Sequence, residues 1–195
     1  MITKEVLQDF YLKQGKSMQQ IAVLLNCSLH KVAYWMEKRQ VKRRSISDAI
    51  YLLNNPDGDP FLFTQPTTLE EAQLLGLGIG LYWGEGAKTY KTTIRLGNSD
   101  PLLINTFIDF LVKIFRIERN HLRFGLQIFN DLDPEAVLNY WLKVLNVPRS
   151  QFHKKIVITP SRAKGTYRKK SEYGVLTVYF HNKKFRDLLF SLMPR

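Results

Sequence analysis

From residue 149 onward the chain carries Arg149, Lys154, Lys155, Arg162, Lys164, Arg168, Lys169 and Lys170 before its next acid, Glu172. Eight unopposed cations in one stretch repel each other unless a polyanion neutralises them, so the chemistry they suit is phosphate binding. A second cluster, "KRQVKRRS", overlaps the end of "SLHKVAYWMEK" and supplies Lys38, Arg39, Lys42, Arg43 and Arg44. Read as a helix, the latter segment turns Ser28, His30, Lys31 and Tyr34 to solvent, where such groups can reach base edges in a major groove. The trailing cations would then hold phosphates. His30, His121, His153 and His181 are scattered, without metal-ligand spacing, and read as ordinary surface or core residues.

The whole chain of 195 residues has a net charge of +12. That excess is local: residues 1–65 carry +3, residues 66–148 carry −1 and residues 149–195 carry +10. A hydrophobic content of 45% suffices for a sizeable core. No apolar run is long enough to span a bilayer, and "MITKEVLQDF" lacks signal-peptide architecture. The single cysteine, Cys27, excludes an internal disulfide and fits a reducing compartment. These features predict a cytoplasmic, nucleoid-associated protein with no membrane partner and no small-molecule substrate.

The elements that must position these groups follow from local pattern. "TKEVLQDFYLK" spaces Val6, Leu7, Phe10 and Tyr11 as a helix that Gly15 stops. "SMQQIAVLLN" opens with Ser17 and Gln20 in capping-box spacing and closes on Asn26, which tolerates a left-handed turn. "SLHKVAYWMEK" restarts on Ser28 as cap, giving two helices joined by a tight turn. Prolines, asparagines and glycine in "NNPDGDPFLFTQP" predict a linker over 54–66 between a domain at 1–53 and another at 67–195. In the latter, "TTIRLG", "LRFGLQIF" and "GVLTVYF" each read as a strand preceding an amphipathic helix. Asp-Pro opens two of those helices. "KKIVIT" and "GVLTVYF" further predict a long hairpin with a basic tip.

Residues 74–88, "LLGLGIGLYWGEGAK", add a different feature. Ala72, Gly76, Gly80 and Gly84 recur every four residues, a stripe without side chains along one helix face. Each interior glycine costs about 1 kcal/mol against alanine, a cost that makes sense where a second helix lies directly on the stripe.

"SMQQIAVLLNCSLHKVAYWMEKRQVKRRSISDA" resembles a resolvase-type helix-turn-helix, with Asn26 in place of that family's turn glycine. "GIGLYWGEG" resembles the LAGLIDADG motif of homing endonucleases. That likeness implies an αββαββα domain, a homodimer paired through Ala72, Gly76, Gly80 and Gly84, and DNA held on hairpin strands. It also implies that Glu85, before the final glycine, binds Mg²⁺ or another divalent cation as the catalytic acid. The combined expectation is an α+β protein, an all-α helix-turn-helix followed by a LAGLIDADG-like domain, cleaving double-stranded DNA at a near-palindromic site. Its DNA contacts would be Ser28, His30, Lys31, Tyr34, Lys38, Arg39, Lys42, Arg43 and Arg44, with Lys154, Lys155, Arg162, Lys164, Arg168, Lys169 and Lys170. A transcription regulator of the same architecture without catalysis is the first alternative. An RNA-binding or RNA-processing factor, stacking bases on Tyr167 and Tyr173, is the second.

Overall fold

The computed structural model describes residues 1–160 and 171–194, and the chain divides into two compact units, Met1–Asp59 and Pro60–Arg195. The boundary falls inside the proline-rich stretch, and Phe61 and Phe63, beyond it, pack on the core of the second unit.

The first unit is all helical. α1 (Lys4–Leu7) continues as a wider, π-type turn through Gln8–Lys13, and Gly15 follows with φ of 67°. α2 (Met18–Leu24) carries the reciprocal cap: the Gln20 amide donates to Ser17 Oγ at 3.1 Å and the Ser17 amide to Gln20 Oε1 at 2.8 Å. Asn26 then turns the chain with φ of 47°, and Ser28 caps α3 (Leu29–Lys38) by accepting from the Lys31 amide at 3.2 Å. Leu7, Tyr11, Ile21, Ala22, Val32, Met36 and Val41 form the core that fixes α2 and α3 on each other. α4 (Ile46–Asn54) closes the unit, capped by Ser45.

The second unit is a mixed α+β fold with a small mixed sheet. Its order is α5 (Leu69–Glu85), β1 (Ile94–Asn98), α6 (Pro101–Phe115), β2 (Arg123–Phe129), α7 (Pro134–Leu145), β3 (Val157–Thr159), β4 (Val175–Phe180) and α8 (Lys183–Leu192). The strands lie β1-β4-β2-β3, with β4 antiparallel to both β1 and β2, and β3 parallel to β2. Asp100 and Asp133 cap α6 and α7 just before their prolines. Alternate residues of the strands face inward, among them Ile94, Leu96, Phe124, Leu126, Leu176 and Val178. They share one core with Phe107, Phe110, Leu111 and Phe115 of α6, Trp141 of α7, and Phe185 and Leu189 of α8.

This topology corrects the long hairpin expected between "KKIVIT" and "GVLTVYF". β2 lies between β3 and β4, so the two flank a common neighbour instead of pairing with each other. A strand's local pattern shows which face it buries but leaves its partner open. Directly after α5 the chain meets β1 through one bridge, Gly86 to Leu96, with the Ala87 amide donating to the Arg95 carbonyl at 2.9 Å.

Candidate nucleic-acid interface

In the first unit the caps and the turn hold α3 with one face on the core and the other in solvent. Ser28, His30, Lys31, Tyr34 and Lys38 are exposed, and Tyr34 keeps 55% of its surface in water. Lys38 is drawn back along the helix, donating to the Tyr34 hydroxyl at 3.2 Å with its ammonium 5.4 Å from the centre of the Trp35 ring. Arg39 also lies over Trp35, at 5.2 Å, and is half-buried. Such contacts hold a cation in a set direction at little cost in charge. Lys42 and Arg43 are exposed just beyond α3.

Arg44 is different. Its guanidinium donates to the carbonyls of Gly15, at 2.7 Å, and Lys16, at 2.9 Å, and to that of Tyr11, over whose ring it lies at 4.0 Å. Those carbonyls lie in the last turn of the first helix and just beyond its end, where helix carbonyls lack an intrahelical donor. Arg44 therefore ties the unit together, and its side chain is committed inward rather than to phosphate. Arg44→Met should cost the first unit about 2 kcal/mol, the worth of charged hydrogen bonds lost from half-buried carbonyls, measured by urea denaturation. An unchanged midpoint would contradict this role.

In the second unit the inward alternation leaves the other sheet face outward, and cations occupy it. Arg95 of β1 and Arg123 of β2 are both register partners of Tyr179 in β4, one on each side. Arg95 stacks 3.4 Å over the Tyr90 ring and 5.2 Å from that of Tyr179. Arg123 is exposed and is steadied by the carbonyls of Asn120 and Leu122 at 2.6 Å and 2.9 Å. The neighbouring row carries Gly97, Thr177 and Gly125, which keeps the face low. A Cβ on Gly125 would stand 3.1 Å from the Tyr179 ring, so glycine lets that ring lie down on the sheet.

His153 and His181 complete the cluster. The His153 ring stacks 4.8 Å from Tyr179, and the His181 ring is 6.0 Å from it on a nearly parallel plane. His181 Nδ1 is 3.0 Å from Thr93 Oγ1. Burial first, and then the charges of His153, Arg95 and Arg123, push its pKa below the ordinary histidine value. Residues distant in sequence meet here because β4 is the central partner of both β1 and β2. Spacing alone gave no sign of it.

Lys154 and Lys155 are exposed immediately before β3. Arg162, Lys164, Arg168, Lys169 and Lys170 lie outside the described residues.

The α5 stripe faces solvent: Ala72, Gly76, Gly80 and Gly84 are exposed, and a Cβ on any of the three glycines would meet nothing within 4 Å. The glycine within α5 that packing requires is Gly78, which no stripe predicted. It is buried against Phe110 of α6, and a Cβ there would overlap the ring.

The expected metal site is overturned. Among the described residues no group of three or more His, Cys, Asp or Glu is placed to hold a metal ion. Glu85, at the exposed end of α5, thus belongs to no such group. The metal-dependent endonuclease, its Mg²⁺ and the catalytic role of Glu85 are withdrawn with it. Among the described residues no helix is long and apolar enough to cross a membrane. No protein-family model, curated protein or solved structure matches the chain.

Proposed function

We propose that this protein is a non-catalytic, double-stranded DNA-binding protein that acts as a homodimer in the manner of a transcription regulator. The observation that carries the reading is α3. It follows α2 through a left-handed turn at Asn26, is capped by Ser28, and presents Ser28, His30, Lys31 and Tyr34 with Lys42 and Arg43 behind them. That arrangement fits a helix-turn-helix whose second helix enters the major groove by its N-terminal end. The outward sheet face of the second unit, with Arg95 and Arg123 beside a low row of small residues, suits a duplex backbone.

The dimer rests on α5. Leu69, Ala72, Gln73, Gly76, Leu77, Gly80, Trp83 and Gly84 are all exposed, and none carries a charge. Leu77 is 52% and Trp83 57% exposed. Among the described residues nothing stands within 4 Å of a Cβ on any of the three bare glycines, each costing about 1 kcal/mol of helix propensity. A twofold contact with the same helix of a second copy gives them a purpose, since small residues let two backbones approach closely. This face supports the LAGLIDADG-like reading of the second unit as a shape without nuclease chemistry.

Selection of bound duplexes from a randomised pool tests the function. The wild type should enrich a near-palindromic motif, and changing His30 or Lys31 to Ala should alter that motif, each lost base contact costing about 1–3 kcal/mol of discrimination. Enrichment of no motif by the wild type would refute sequence-specific binding.

A further inference from the structure

His181 sits at the end of β4 on the same outward face as Tyr179, and directly precedes Asn182, the N-cap of α8. Its Nδ1 is taken by Thr93 Oγ1 at 3.0 Å, which leaves Nε2 as the nitrogen open to a ligand. Among the described residues, the charges that act on this ring have one sign. His153 precedes β3, Arg95 stands on β1 and Arg123 on β2, and no carboxylate is among the groups that shift it. The positive end of the α8 dipole adds to them. On α8 itself Lys183 is paired with Asp187, which Arg186 also holds. Tyr90 and Tyr179 grip Arg95 by its faces and offer it no counter-ion. Beside these cations stands a ring that gains a proton easily once an anion arrives.

We propose that Arg95, Arg123 and His181 form a proton-linked phosphate seat on the outward sheet face, in which anion binding charges the His181 imidazole. This rests on the DNA-binding reading and names the group by which the second unit holds the backbone. With the phosphate bound, Nε2–H donates to an oxyanion and Nδ1–H to Thr93 Oγ1, so the imidazolium is fully satisfied. Empty, the ring is surrounded by positive charge and stays neutral near pH 7. Binding therefore takes up a proton. Affinity must rise as pH falls from the bound-state pKa towards the lower free-state pKa, and level off below it.

The test follows the His181 ring carbon resonances through a pH titration of the full chain, alone, with a duplex and with inorganic phosphate. An opposite charge at this distance should raise the pKa by about 1 unit or more. The duplex affinity of the wild type should climb about tenfold between pH 8 and pH 6, while that of His181→Gln, which keeps a donor towards Thr93, stays flatter. A shift with duplex alone assigns the seat to nucleic-acid backbone, and a shift with both assigns it to phosphate in general. Duplex binding that leaves the His181 titration unmoved would overturn the seat while leaving the DNA reading intact. Absence of duplex binding at every pH would instead refute that reading, and the phosphate arm would then decide the seat by itself.

Discussion

Gly80→Leu should abolish self-association while leaving the fold intact, and Gly78→Leu should instead destabilise the fold. The two positions lie on opposite faces of α5. At Gly80 an added Cβ meets nothing within 4 Å, so a dilute monomer gains about 1 kcal/mol of helix propensity. In a dimer paired through α5 the same leucine would stand between two backbones and force them apart, a loss of several kcal/mol by overpacking. At Gly78 the substituent meets the Phe110 ring. Phe110 is itself locked among Phe107 and Phe115 and has nowhere to go. That variant should lose about 3 kcal/mol of unit stability. Sedimentation velocity at micromolar concentration separates the outcomes. A wild type that sediments as a monomer, or a Gly80→Leu protein that dimerises as the wild type does, would refute the pairing.

Neutralising Arg95 and Arg123 together, each to Gln, should weaken duplex binding about a hundredfold at moderate salt. A charged hydrogen bond to phosphate contributes about 1.5–3 kcal/mol, and about 1.4 kcal/mol is a tenfold change. The loss should be the same for specific and random duplexes, with the salt slope shallower by about 1 for each phosphate contact removed. Arg95 also gives up its stacking on Tyr90, so circular dichroism melts must accompany the titrations. A change in site preference rather than overall affinity would mean that this face reads bases.

Much of the local structure was legible because it depends on neighbours in sequence. The Ser17–Gln20 and Ser28 caps, the turn at Asn26, and the Asp-Pro helix starts each use side chains within a few residues of the backbone they serve. The three strand-then-helix units follow from period alone. What escaped depends on pairing. No local signal places β4 between β1 and β2, and that placement is what gathers Arg95, Arg123, His153 and His181 about Tyr179. The run of cations at 38–44 hid Arg44, whose partners lie far back in the chain at Tyr11, Gly15 and Lys16. A period of four made the α5 stripe visible, but not that Gly78, off the stripe, is the glycine packed inside. One acid before a glycine says nothing of the further ligands a metal needs, and the described residues bring together no group of three or more that could supply them.

The central claim is that two cation-bearing faces hold duplex DNA without cutting it. Titrating a fluorescent duplex against the wild type in EDTA, over a series of potassium chloride concentrations, tests it most directly. The account predicts saturable binding whose log affinity falls linearly with log salt, with a slope of about −5 if some six phosphates are neutralised. It also predicts duplex recovered at full length after Mg²⁺ replaces the EDTA. Binding that ignores salt, or no binding to duplex at any salt, would contradict it.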